Sequence, residues 1–196
     1  MELCKKELSE LIANGQQFSR ADLAHFAYSF IKGLSELKKK QIYHRDIKPE
    51  NIMIGYDNEF KLIDFNISVV SERNSEMAGI GPHSNKGTLN YSSPEKFNCP
   101  ENEHSLELND AYSLGLVILE MSTLEVISIH RMNKELFIQK REEQIRQIEI
   151  PWLSNLIREM LTYDYRYRPR FGRLLEMIEQ DREFVNDRNR ERSNFI

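Results

Sequence analysis

His44-Arg45-Asp46-Ile47-Lys48-Pro49-Glu50-Asn51 puts a carboxylate, an ammonium and a carboxamide close together on what reads as a loop between a long helix and a pair of short strands. An aspartate that can accept a hydroxyl proton, a lysine that can neutralise phosphate charge and an asparagine oxygen that can ligate a hard cation together suit phosphoryl transfer. Thirteen residues after Asn51, at the exit of the strands, Asp64-Phe65-Asn66 supplies a second oxygen ligand. Mg²⁺ takes one or two protein carboxylates beside phosphate oxygens and water, so Asp64 with Asn51 is a sufficient protein share. A lone Asp or Lys is ordinarily a solvated surface charge. The eight-residue context is what singles out Asp46, Lys48 and Asn51.

Upstream of the loop, Ser19 reads as an N-cap with Asp22 three residues on, a capping-box spacing. Leu23, Phe26, Ala27, Phe30, Ile31, Leu34 and Leu37 then recur at three- and four-residue steps up to Lys40, which predicts a long amphipathic helix. A shorter helix is predicted over Lys5–Ala13. Downstream, Ile52–Gly55 and Phe60–Ile63 flank Tyr56-Asp57-Asn58-Glu59 as a small hairpin, and residues 67–70 suggest one more short strand. Residues 71–90 read as a long loop. After Asp110, as far as Met121, only Glu120 is charged, so this helix should lie at the centre of the domain. Helices are also expected over 133–148, Trp152–Leu161 and Phe171–Gln180, followed by a charged tail, 181–196, that should fray. The expected fold class is mainly α (α+β), a helical bundle with a small β-hairpin insert around the loop.

The 196 residues carry a net charge of −4, with 40% hydrophobic and 30% charged residues. A chain of this length can bury about 70% of its unfolded surface without staples. The balance excludes collagen-like, low-complexity and disordered classes. It also gives no bulk charge for holding nucleic acid or an anionic membrane. Cys4 and Cys99 form no framework or CxxC pair, and no apolar run reaches the 18 or so residues a membrane helix needs. The expected location is the cytoplasm or the nucleus, without nucleic-acid or membrane partners.

The run HRDIKPEN resembles the catalytic loop of the eukaryotic protein kinase family, and Asp64-Phe65-Asn66 stands where that family has DFG. Gly87-Thr88-Leu89-Asn90-Tyr91-Ser92-Ser93-Pro94-Glu95 resembles the end of its activation segment, with SPE for APE. Asp110-Ala111-Tyr112-Ser113-Leu114-Gly115 resembles the start of its central helix, and Asp164 with Arg168-Pro169 its late Asp…Arg-Pro element. Met1-Glu2-Leu3-Cys4 resembles the hinge between the two lobes. The resemblance covers residues 1–180 and implies the C-terminal lobe alone, with 44–51 as catalytic loop and 64–95 as activation segment.

The resemblance also implies roles. Asp46 would be the catalytic base, and Lys48 would neutralise the transferring phosphate; Lys48-Pro49-Glu50-Asn51 resembles the serine/threonine branch. Asn51 and Asp64 would hold Mg²⁺, Met53 would sit under the adenine of ATP, and backbone groups of Glu2 and Leu3 would meet its edge. Thr88 would fix Asp46, while Arg45 would pair with a phosphate on Ser84, or on Ser75 as second candidate. Glu95 and Arg168 would form a buried ion pair, Asp110 would hold the catalytic-loop backbone, and His44 and Phe65 would stack beneath the site.

No glycine-rich GxGxxG loop and no VAIK-like lysine occur in these residues. Asn66 replaces the family's glycine, and asparagine is among the few residues that tolerate positive φ. Two functions therefore fit. One is a serine/threonine protein kinase acting on protein hydroxyls, weak or inactive until an N-terminal lobe is joined to it or supplied in trans by a partner. The other is a non-catalytic, kinase-like binding or regulatory module.

Overall fold

The computed structural model describes residues 4–65, 69–70, 77–78, 89–98, 104–125 and 134–195. The chain enters as strand β1 (Cys4–Glu7) and turns into helix α1 (Leu8–Ala13). The helix expected from Lys5 thus begins only at Leu8. Residues 4–7 instead take the open edge of strand β3 (Ile52–Gly55), Lys6 opposite Ile54 and Glu7 opposite Met53. The helical period there rested on Leu8, Leu11 and Ile12 alone, and a tertiary strand partner outweighs it.

Helix α2 (Arg20–Lys39) opens with the capping box that its sequence predicts. Asp22 N donates to Ser19 Oγ at 3.2 Å, and Ser19 N donates to Asp22 Oδ2 at 2.8 Å. Its stripe of Leu23, Phe26, Ala27, Phe30, Ile31 and Leu34 is buried, worth roughly 1.5–3 kcal/mol for each fully buried large side chain. Strand β2 (Ile42–Tyr43) follows, then a 3₁₀ turn over Pro49–Asn51, then the hairpin of β3 and β4 (Phe60–Leu62) with Ile52 opposite Leu62 and Ile54 opposite Phe60. Asn58 sits in the hairpin turn at φ 61°, a left-handed position that asparagine tolerates. Strand β5 (Val69–Val70), foreseen within residues 67–70, pairs with β2.

Within the predicted loop, strand β6 (Met77–Ala78) pairs with strand β7 (His104–Ser105), and a short helix α3 (Pro94–Asn98) lies between them in sequence. Helix α4 (Leu106–Thr123) starts four residues before Asp110. Its first turn carries Glu107 and Asn109, polar yet buried, because each has a partner. Glu107 accepts from Arg170 Nη1 at 2.7 Å and Phe171 N at 3.0 Å, and Asn109 Oδ1 accepts from Ser93 Oγ at 2.8 Å. Ala111, Tyr112, Leu114, Val117, Ile118 and Leu119 are fully buried, which makes α4 the centre of the core. Around it pack α2 and helix α6 (Pro151–Met160), with helix α5 (Lys134–Ile145) against α6 and helix α7 (Phe171–Gln180) against α2. No helix among the described residues is long and apolar enough to cross a membrane.

The tail expected to fray over 181–196 is ordered over its described residues, 181–195. It forms helix α8 (Arg182–Arg188), capped by Asp181, whose Phe184 is fully buried edge-on to Trp152. Asp187, also buried, accepts from Trp152 Nε1 and Arg20 Nε, each at 2.9 Å. Beyond the helix, Phe195 is buried against Phe18 and Phe60. Its charge disguised the tail: Arg182, Glu183, Arg188 and Arg190 flank single aromatics too widely spaced to show a period.

Helices α4 and α6 approach each other closely at Gly115. A Cβ there would meet Met160 Cβ at 2.8 Å and Leu161 Cδ2 at 3.0 Å. In a helix, Gly→Ala ordinarily gains about 1 kcal/mol, while overpacking costs about 1–3 kcal/mol. Met160 Cβ cannot swing aside as a side-chain tip could, so Gly115→Ala should lose net stability in urea unfolding. A stabilised variant would show that α4 and α6 are less tightly apposed.

Candidate active site

Asp110 organises the site. Its fully buried carboxylate accepts the backbone N–H of His44 on Oδ2 at 2.7 Å and that of Arg45 on Oδ1 at 2.8 Å. Burial pushes its carboxyl up to about 6, against the pull of those two amides. Arg45 is held at φ 72°, a left-handed conformation costly for a branched-out side chain and sustained by this double anchor. Ile47, 1% exposed, pins the loop to the core from its other side.

The anchored loop brings three predicted residues together. Asp46 Oδ2 lies 3.0 Å from Lys48 Nζ and accepts from Asn51 Nδ2 at 3.1 Å. The same Nδ2 donates to Asp46 O at 2.8 Å, which fixes the amide so that its oxygen is the face left for a cation. Ile63 N donates to Asn51 O at 2.9 Å, so Asp64, one residue on, sits at the same end of the hairpin as Asn51. Asp64 is exposed and lies at φ 62°. One carboxylate and one amide oxygen suit a hard cation that also takes phosphate oxygens. Among the described residues no group of three or more His, Cys, Asp or Glu could hold a metal by itself. Met53 is half-buried on β3, on the face opposite the buried Ile52 and Ile54.

His44 has no exposed surface. Its Nε2 lies 3.0 Å from Ile63 O and its Nδ1 accepts from Asp46 N at 3.3 Å, which together require the neutral Nε2–H tautomer. Burial holds the imidazole below its usual range. Phe65 meets it edge-to-face rather than stacked, at 4.7 Å and 72°, the geometry the ring quadrupoles prefer. Phe65 is 43% exposed and Ile63 37%, beside a groove of about 260 Å³ between α2 and β4 lined by Phe30, Leu34, Leu37 and Leu62.

Below the loop, Arg168 and Glu95 form a buried bidentate pair, Nη1–Oε1 2.7 Å and Nη2–Oε2 3.1 Å. Arg168 Nη1 also donates to Leu108 O at 2.8 Å, and the guanidinium lies 4.6 Å over the Tyr112 ring. Sequence reasoning missed two further ties between residues 89–95 and α4. Tyr91 Oη donates to Glu120 Oε2 at 2.5 Å, and Ser113 Oγ donates to Tyr91 O at 2.8 Å. Glu120, the lone charge on an apolar helix, was the signal for the first. Lys96 was also missed; burial, with Arg45 nearby, holds its amine below the usual range. Glu2, Leu3, Ser75, Ser84 and Thr88 lie outside the described residues.

Comparison with known proteins agrees with this geometry. The protein kinase domain profile matches residues 1–178. A probable serine/threonine-protein kinase of Dictyostelium discoideum is 28% identical over 179 residues, 89% of this chain and 10% of that protein. An Aurora kinase of Saccharomyces cerevisiae is 30% identical over 181 residues, 84% of this chain and 46% of that protein. Mitogen-activated protein kinase kinase 7 of Arabidopsis thaliana is 39% identical over 100 residues, 50% of this chain and 31% of that protein. The chain belongs to the protein kinase family. It spans between 10 and 46% of the length of these relatives.

Two measurements probe the site's supports. The unfolded chain takes up a proton near pH 6.5 that folded His44 refuses, so this group's contribution to stability falls as pH drops through 6.5 and levels off below the lowered folded value. The ¹⁵N spectrum of His44 should therefore show the Nε2–H tautomer above pH 6.5, with its titration midpoint below that of an exposed histidine; an Nδ1–H tautomer would refute the hydrogen bond from Asp46 N. Arg168→Met leaves Glu95 buried beside no cation and should cost about 3–5 kcal/mol in urea unfolding, part of it restored by adding Glu95→Leu. A loss well under 1 kcal/mol would mean that the pair holds little.

Proposed function

We propose that this chain supplies the C-terminal, acceptor- and metal-binding lobe of a serine/threonine protein kinase, with ATP and Mg²⁺ as cofactors and protein hydroxyls as substrates. The observation that carries the reading is the bracketing of Asp46 Oδ2 by Lys48 Nζ at 3.0 Å and Asn51 Nδ2 at 3.1 Å, on a loop anchored by Asp110. Asp46 accepts the proton of the acceptor hydroxyl and points its oxygen at phosphorus. Lys48, already beside that carboxylate, neutralises charge on the transferred group. The Asn51 amide oxygen and the Asp64 carboxylate would hold Mg²⁺, which when bound would supply positive charge against the charge that develops on the phosphate. Beyond that proton transfer, this lobe contributes positioning and electrostatics.

These residues contain no GxGxxG loop and no VAIK-like lysine. The reading assigns the nucleotide clamp to a segment outside them or to a partner in trans. A second reading, a non-catalytic kinase-like module, is favoured by the exposure of Phe65 and Ile63 beside the apolar groove of α2. Such a face suits a protein partner.

Transfer of labelled phosphate from Mg-ATP to myelin basic protein separates the two. On the kinase reading Asp46→Asn lowers the rate by about 10²–10⁴-fold, and Asp64→Asn lowers it with a raised Mg²⁺ requirement. Undiminished transfer by Asp46→Asn sinks the assignment. No transfer by the unaltered chain, together with no thermal shift on adding Mg-ATP, selects the module.

A further inference from the structure

The last residues of the chain make a clasp that serves no part of the candidate active site. Asp22, fully buried at the start of α2, accepts the backbone N–H of Ser193 on Oδ1 at 2.8 Å and the Ser193 hydroxyl on Oδ2 at 2.6 Å. The same Oδ2 takes the Ser19 amide of the capping box. Asn58, at the tip of the β3–β4 hairpin, donates from Nδ2 to Ser193 O at 2.8 Å and accepts from Phe195 N at 3.1 Å. Arg192 pairs with Glu59 Oε1 at 2.6 Å, and the other oxygen of that carboxylate lies 2.6 Å from His25 Nε2. Arg190 lies 3.1 Å from Asp187 Oδ1. The ring of Phe195 closes the clasp 5.7 Å from Phe18 and 5.6 Å from Phe60.

Three features meet at Ser193. It is half-buried, so opening the clasp exposes it. Arginines precede it at the third and first positions, Arg190 and Arg192, and both are tied to carboxylates of this chain while the clasp is shut. Its hydroxyl proton is committed to a buried carboxylate that already receives other donors.

We propose that Ser193 is a phosphorylation site for an arginine-directed serine/threonine protein kinase, and that the modification locks residues 190–195 away from Asp22 and Asn58. In the open form Arg192 is released from Glu59 and, with the exposed Arg190, meets acidic groups on the modifying enzyme. Ser193 Oγ then bonds to the γ-phosphorus of ATP, the bond from that phosphorus to the bridging oxygen breaks, ADP leaves, and the hydroxyl proton passes to the base of the modifying kinase. The product cannot reclose. The donor to Asp22 Oδ2 has been replaced by an oxygen, and a group of charge about −1.5 to −2 would face a buried carboxylate at hydrogen-bond distance. The docked clasp protects the serine, and the phosphate holds the clasp open, so the switch acts on the population of the open form.

The test incubates the whole chain with Mg-ATP and the catalytic subunit of cyclic-AMP-dependent protein kinase, beside a control without added kinase. Intact mass should show one phosphoryl group, absent in Ser193→Ala and in the control. Asn58→Gly keeps the left-handed backbone while deleting both clasp hydrogen bonds. It should speed incorporation by about tenfold, the effect of one to two net hydrogen bonds on the open fraction. After modification, the amides of Ser193 and Phe195 should exchange with solvent at least about tenfold faster. Three outcomes overturn the proposal: incorporation undiminished in Ser193→Ala, no incorporation even in Asn58→Gly, or a phosphorylated Ser193 whose Phe195 amide exchanges no faster.

Discussion

A single buried carboxylate, Asp110, holds two successive backbone amides, and the rest of the site is built outward from that contact. The two N–H groups belong to His44 and Arg45, the residues immediately before Asp46, so the direction of the Asp46 side chain follows from the register of the bond. Burying a carboxylate is costly, and the raised proton affinity of Asp110 records that cost. The two hydrogen bonds offset it and in exchange keep Arg45 in a left-handed conformation that no local preference would choose. Because Asp110 stands on α4, the most deeply buried helix, the backbone of residues 44–51 is referred to the core rather than to the surface.

The same helix receives residues 91–95. Ser93 meets Asn109, Tyr91 meets Glu120 and Ser113, and Glu95 meets Arg168, whose other hydrogen bonds run to Leu108 O and Thr162 O. Of the polar side chains buried on α4, Asp110 faces the loop of residues 44–51, Asn109 and Glu120 face residues 91–95, and Glu107 faces Arg170 and Phe171. The helix's apolar positions face α2 and α6. One helix thus separates a polar, hydrogen-bonded side from an apolar, packed one, and its low amphipathicity in sequence follows from both sides being buried.

Legibility in the sequence varied with how local the determining interactions are. The capping box of Ser19 and Asp22, the stripe of α2 and the β3–β4 hairpin depend on neighbours within a few residues, and they were readable. Residues Asp46, Lys48 and Asn51 were readable because they are contiguous. Strand β1 was not, since only the distant edge of β3 makes Cys4–Glu7 extended. Strands β6 and β7, two residues each, carry no periodic signal at all. The early start of α4 was hidden by Glu107 and Asn109, which look like surface residues until Arg170, Phe171 and Ser93 are placed beside them. The tail misled for a related reason: Phe184 and Phe195 are each single aromatics in a charged run, and burial of one ring at a time leaves no pattern to detect.

Helix α4 also sets a condition on the making of the protein. It is apolar nearly all round, and its packing partners lie on both sides of it in the chain, α2 before and α6 after. A ribosome that has just released Thr123 has delivered a helix that one neighbour can cover only in part. The next 37 residues, to Met160, must be added before the other face is closed, which at about 5–20 residues per second takes roughly 2–7 s. Over that interval the nascent chain presents Val117, Ile118 and Leu119 together with the future contact surface of Met160, the kind of surface that holding chaperones grip. The order of elements along this chain therefore leaves its central helix half covered for part of its synthesis, although it is the best sheltered once folding is complete.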